Sequence, residues 1–265
     1  MTNFSPATTA PRKNAGARSQ PFQYCRRWLA IPFFIMFILA GSRSLSQSSH
    51  LGSWNVINTK LNLSKKWSVF NELQLRAQSF YHEQYYYEVK GGLSYSFTKN
   101  FSLLLGLGKY VTYTAEGNFT KPITANEFRL WQQFTINNYL QRFKFEHRYR
   151  IEQRWFSNGT YRNRFRYRFN AVVPLNHAKM GPGTFYLSAF DEVFLTNKAP
   201  YFERNRIFAG AGYQFSKSLT IQPGYLHQFD YKNGTRTAKD FFQLTAMIEF
   251  GAHKNPHEKI PGNVD

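Results

Sequence analysis

The run from Arg142 to Asn170 restricts the possible folds more than any other part of the chain. It reads RFKFEHRYRIEQRW, then FSNGT, then YRNRFRYRFN. On the first arm Arg142, Lys144, Glu146, Arg148, Arg150, Glu152 and Arg154 hold the even positions, and Phe143, Phe145, Tyr149, Ile151 and Trp155 hold odd ones. On the second arm Arg162, Arg164, Arg166 and Arg168 alternate with Phe165, Tyr167 and Phe169. Successive side chains on a strand point to opposite faces, so each arm has one charged and one aromatic face. Asn158-Gly159 supplies the turn between them. In a soluble two-layer protein the charged face meets water and the apolar face a core. In an outer-membrane barrel the apolar face meets lipid and the charges line the interior.

The rest of the chain favours the barrel. From Leu51 on, alternating segments of about ten residues are separated by turns, and no helical period is sustained. The segments are 54–63, 67–79, 86–97, 101–113, 126–136, 141–155, 161–174, 184–196, 204–215, 218–231 and 239–250. Trp67, Val69, Leu73, Leu75 and Ala77 oppose Ser68, Glu72, Gln74, Arg76 and Gln78; Phe242, Leu244, Ala246, Ile248 and Phe250 oppose Gln243, Thr245 and Glu249. Tight turns (64–66, 98–100, 216–218) alternate with longer polar loops (114–125, 196–203, 232–238), and 175–183 is the exception. Short turns on one rim and long loops on the other are the outer-membrane pattern. The expected fold is therefore all-β: a closed, antiparallel, up-and-down transmembrane β-barrel. Both termini on the periplasmic side require an even strand number, so twelve strands are expected, with ten as the alternative and the missing strand near Ser46–Trp54. Closure also removes the aromatic edges that would otherwise aggregate.

Ahead of the barrel, Trp28 to Ala40 is an apolar run preceded by basic residues and followed by Gly41, Ser42, Ser44 and Ser46. This is the order of a cleaved secretory signal peptide, and the run is too short to span a bilayer as a helix. The expected organisation is a signal peptide at 1–44, a barrel at 45–250 and a polar tail at 251–265. The single cysteine, Cys25, would leave with the signal, so no disulfide or cysteine-based metal site is expected in the mature chain.

Composition supports the same location, the bacterial outer membrane. A mean hydropathy of −0.50 excludes a helical membrane protein, while an aromatic content of 18% suits a barrel with interfacial girdles. The net charge of +19 points to anionic surfaces or solutes. Its arginines follow strand alternation and are not gathered on one helix or tract, which argues against nucleic acid.

The last strand, DFFQLTAMIEF, looks like the terminal assembly signal of outer-membrane barrels. Further motifs are SKKWSVFNELQLR, EHRYRIEQRW, RNRFRYR, FDEVFLTN (Phe190 to Asn197) and ERNRIFAGAGYQFSKSLTIQPGYLHQ (Glu203 to Gln228). In their order and spacing, from about Trp54 to Phe250, the chain resembles a family of uncharacterised bacterial outer-membrane-type barrel proteins known only as a domain of unknown function. The resemblance implies a fold and a compartment and no reaction.

Three roles are open for the interior charges. Arg148, Arg150, Glu152, Arg154, Arg162, Arg164, Arg166, Arg168, Glu192 and Arg206 form the expected lumen charge network. Buried charges are tolerated when paired, so the first reading is a self-satisfied Arg/Glu plug with a structural role. The second is a narrow pore whose basic excess selects a small anionic solute. The third is a lipid-modifying hydrolase drawing on His147, His177, His227, Ser157, Ser188 and Asp191, but these residues lack diagnostic spacing and enzymatic activity is not favoured. Asp191 falls on the apolar face, which predicts a bulge there. Expected partners are outer-membrane lipid and the barrel assembly machinery. No cofactor or metal is expected, and no catalytic residue is assigned.

Overall fold

The computed structural model describes residues 1–2, 51–114, 118–120, 122–232 and 234–251. Beyond its first two residues, the segment read as a signal peptide (1–44) lies outside the described residues, as does the tail after Gly251. Among the described residues eleven strands follow one another: β1 (Gly52–Asn62), β2 (Trp67–Ser79), β3 (His82–Ser96), β4 (Phe101–Tyr113), β5 (Ile123–Leu140), β6 (Phe143–Phe156), β7 (Tyr161–Pro174), β8 (Thr184–Thr196), β9 (Phe202–Gln214), β10 (Leu219–Lys232) and β11 (Thr235–Phe250). Each pairs with its sequence neighbour in antiparallel fashion, and β1 pairs with β11 to close a barrel.

The strand count of twelve, or ten, is corrected to eleven. The parity argument assumed that both ends of the barrel share a rim. Instead β1 and β11 run parallel, in register from Gly52↔Phe241 to Leu61↔Phe250. Parallel ladders are slanted but complete, so an odd number of strands leaves no open edge. Consequently the start of β1 and the end of β11 lie at opposite rims. At the Ser64 rim, Asn62 Nδ2 fastens the seam by donating to Glu249 Oε1 at 2.6 Å.

Turns are also more even between the rims than the loop pattern implied. The Ser64 rim carries 175–183 and the opposite rim, here the Asn158 rim, carries 114–122. Two expected loops shrink because the strands extend into them. Between β2 and β3 only Phe80 and Tyr81 remain, with Tyr81 at φ 57°. Between β10 and β11 only 233–234 remain, with Gly234 at φ 80°. The Asn158-Gly159 turn forms as expected, with Gly159 at φ 80° and its N–H donating to the Phe156 carbonyl at 3.0 Å.

The barrel is inverted relative to a water-soluble protein. Along β6, Lys144, Glu146, Arg148, Arg150, Glu152 and Arg154 are buried, whereas Phe143, Tyr149, Ile151 and Trp155 are exposed. The same alternation gives an outer face of exposed aliphatics such as Leu73, Val89, Leu105, Leu107 and Leu187. Aromatic rings gather at both ends of this face. Near the Ser64 rim Trp67 packs on Tyr95 (4.7 Å), Phe145 on Phe169 (5.8 Å) and Phe185 on Tyr213 (4.4 Å). Near the Asn158 rim Phe128 packs on Trp155 (6.0 Å), Trp155 on Tyr161 (5.4 Å) and Phe202 on Phe229 (6.1 Å). From Phe145 to Trp155 on β6, the strand rise and tilt of such barrels give a spacing of about 26 Å along the axis.

Polar groups on the outer face pair across strands. Gln153 Nε2 donates to Gln132 Oε1 (3.2 Å), His147 Nδ1 meets the Tyr167 hydroxyl (2.9 Å), and Asn205 Nδ2 donates to Asp191 Oδ1 (2.5 Å). The bulge expected at Asp191 is absent. Asp191 stays in register between Phe169 and Ile207, and the irregularity falls at Phe194/Leu195. Asn205 solves the problem without a kink, by supplying a donor on the neighbouring strand.

An ion-paired interior and a basin at one rim

An eight-stranded barrel has an interior that side chains just fill, so eleven strands need long ones. Along one wall, β6 to β9, these are arginines. The register places Arg148 opposite Arg168 and Arg150 opposite Arg166. Like charges directly opposite repel, and two glutamates offset this. Glu192 Oε1 accepts from Arg148 Nη2 (2.6 Å) and Arg166 Nη2 (2.8 Å), with Arg206 Nη1 at 3.9 Å from its other oxygen. Glu152 holds Arg164 Nη2 (2.6 Å) and Arg166 Nη1 (2.7 Å), with Arg150 at 3.6 Å. Glu152 and Glu192 are both almost fully buried. Each carboxylate therefore serves several guanidiniums, an arrangement in which charge-assisted, partly bidentate bonds stand in for solvation.

The network extends beyond the residues that alternation suggested. Glu127 joins Arg129 (2.9 Å) and Arg154 (3.0 Å). Glu203 joins Arg154 (3.1 Å) and Arg164 (2.9 Å). On β2 and β3, Lys90 Nζ lies 2.7 Å from Glu72 and 2.6 Å from Glu88. Glu127 and Arg129 were legible in principle, since they alternate with Phe128 and Leu130. Their odd numbering hid them beside the even positions of β6 and β7. Glu203 was hidden because it falls just ahead of the assigned segment 204–215.

Of the expected network residues, Arg148, Arg150, Glu152, Arg154, Arg164, Arg166, Arg168, Glu192 and Arg206 are buried in the interior. Arg162 is not. It is exposed at the start of β7, where the strand has reached the rim and its side chain meets solvent.

Elsewhere, rings packed over glycines share the interior with the charges. A Cβ on Gly106 would lie 2.4 Å from the Trp131 ring, and one on Gly92 would lie 2.7 Å from the Phe70 ring. Phe208 covers Gly224 in the same way, at 2.4 Å. Trp131, Phe70, Leu104, Tyr86 and Tyr110 form one buried cluster, and Trp54, Val56, Phe190, Phe208, Leu226 and Phe241 form another. Guanidiniums stack on these rings, with Arg76 3.4 Å from Trp54 and Arg129 3.7 Å from Tyr110. Cation–π contacts of this kind strengthen as water is excluded.

Toward the Asn158 rim the packing opens into a polar basin of about 180 Å³. Its lining includes Arg76, Tyr110, Arg154, Glu203, Arg204 and Lys239. Arg204 is ion-paired with Asp230 on β10.

The residues raised for hydrolysis do not come together. His177 meets Thr184 in the 175–183 turn (3.0 Å), His227 meets Asp240 on the outer face (2.7 Å), and His147 bonds Tyr167. Ser188 lies inside and donates to Asn170 (3.1 Å). Among the described residues, no group of three or more His, Cys, Asp or Glu side chains could hold a metal ion.

Fold and interior together define a class: a closed eleven-stranded β-barrel with an apolar outer face and an ion-paired core. The chain belongs to the family described as protein of unknown function (DUF2490), which matches residues 51–239. The match runs from the start of the barrel into β11. No curated protein matches the chain.

Proposed function

We propose that this protein resides in the bacterial outer membrane as a closed barrel that conducts no ions, with a structural or surface role set by its wall and rims. The observation that carries the location is the inversion itself. A continuous exposed apolar face far exceeds the patches that water-facing monomers tolerate. Paired aromatic girdles about 26 Å apart match the apolar band of outer-membrane barrels. Paired polar groups on that face agree with the rule that polar atoms in lipid find protein partners. The apolar run at 28–40 supplies the export signal, and the barrel assembly machinery would insert the chain.

Closure is supported by the interior. Arg148, Arg150, Glu152, Arg166, Arg168 and Glu192 are buried and interlock at mid-height, with Arg150 over Trp131 and Arg168 over Phe190; this packing supports a blocked path. The pore reading is therefore second. The hydrolase reading has no assembled residues behind it.

Two measurements test this. Fractionation of cells producing the full chain should place it with outer-membrane markers, in a form whose gel mobility changes on heating. Recovery from the soluble fraction would defeat the location. The refolded barrel in planar bilayers should give no discrete conductance steps; reproducible anion-preferring steps would replace the plug by a pore.

A further inference from the structure

The basin at the Asn158 rim is unlike the rest of the interior. Its lining comes from nine of the eleven strands and holds eight basic side chains against four carboxylates. At mid-barrel the arginines surround shared glutamates. In the basin Lys239 is loosely held, and two buried donors, the Tyr110 hydroxyl and Arg76 Nε, are left over. Lys239 has no carboxylate partner among the described residues; its Nζ reaches only Gln78 Oε1, at 3.5 Å, and the Tyr85 ring, at 5.0 Å. Tyr110 is buried, and its hydroxyl has no hydrogen-bond partner among the described residues. The neighbouring Tyr86 hydroxyl, by contrast, donates to Glu88. Arg76 Nε is likewise buried without a partner.

An unsatisfied buried donor is costly, and two of them, the Tyr110 hydroxyl and Arg76 Nε, line a cationic cavity beside the half-buried Lys239; an anion with several acceptor oxygens is a common remedy. The guanidiniums are already oriented. Arg154 is clamped by Glu127 and Glu203, and Arg129 is stacked on Tyr110. Donors fixed in advance lose less entropy on binding. A cavity of about 180 Å³ has room for several waters or for a compact anion of pyrophosphate size.

We propose that this basin is a binding site for a small polyanion bearing phosphate or carboxylate groups, with Lys239 and Tyr110 as the contacts that the protein's own network does not use. The site is a cup above the plug. It needs no open lumen and does not rest on the membrane location, so fractionation and conductance results leave it standing. A free solute and an anionic lipid headgroup share this chemistry. The free solute is favoured because the basin lies on the interior side of the wall and the apolar face on the other.

The test is calorimetric titration of the refolded barrel in uncharged detergent with pyrophosphate at low salt. Folding is verified by heat-modifiable mobility. Saturable one-to-one binding is expected. Lys239→Gln should weaken it about tenfold or more, as expected for losing a charge-assisted bond, and Tyr110→Phe by a smaller factor. Lys65→Gln, in the turn at the opposite rim, should leave it unchanged. Vesicles of anionic phospholipid, added as competitor, separate the sources. Release of pyrophosphate assigns the site to headgroups, and retention assigns it to free solutes. No saturable binding by folded protein would overturn the proposal, as would equal weakening by Lys65→Gln or no weakening by either basin variant.

Discussion

The β6–β9 wall and the β2–β5 wall fill the same lumen by different physics. The first uses long cations neutralised by a few shared carboxylates. Its stability depends on electroneutrality in a desolvated space, where removing one acid strands several arginines. The second has a smaller ion-paired set around Lys90 and Arg129, and it also lays Trp131 and Phe70 across glycines of the neighbouring strands, as in the aromatic rescue of strand glycines. Its stability depends on volume, and a single added methyl collides with a ring. A charged wall tolerates little change in charge and a packed wall little change in shape.

The largest effect should follow removal of a shared acid. Glu192→Gln leaves Arg148, Arg166 and Arg206 without a common acceptor and should cost about 3–5 kcal/mol, as for breaking a buried pair. The readout is the urea midpoint of refolding in detergent. Adding Arg168→Met, whose residue faces Glu192 in register, should recover part of the loss. A Glu192→Gln variant as stable as wild type would mean that the interior is hydrated and the charged wall is no different from a surface.

Trp131→Ala comes next, at about 3–5 kcal/mol for a truncated buried aromatic. Gly106→Ala should cost about 1–3 kcal/mol by overpacking, and much less when Trp131 is already Ala. Strict additivity in that double-mutant cycle would break the ring-on-glycine account.

The seam that joins the two walls offers a stabilising change. Ile57 and Ala246 are register partners across β1 and β11. In a Cys25→Ser background, Ile57→Cys with Ala246→Cys should form an intramolecular disulfide worth about 2–4 kcal/mol. A twelfth strand between them would hold the two residues about 10 Å apart and prevent the bond. The smallest effect belongs to Arg162→Gln. This arginine is exposed at the rim, and its loss should change the midpoint by less than about 0.5 kcal/mol. A loss as large as that of Glu192→Gln would return it to the network.

Most of the wall was legible in local sequence. Strand content, the bounds of β2, β4, β7 and β8, the inward charges of β6 and β7, and the Asn158-Gly159 turn are all local, because side-chain alternation and turn chemistry act over a few residues. Register and closure, by contrast, are not local. Alternation says that Arg148 and Arg168 share a face but not that they stand opposite each other with Glu192 one strand away. Nor could it bring Glu127 and Glu203 to Arg154, since inward parity is set strand by strand and each turn can shift it. The count of eleven was equally out of reach. Parity was argued from where the ends should lie, whereas the parallel seam between β1 and β11 joins residues almost 190 positions apart and has no local signature.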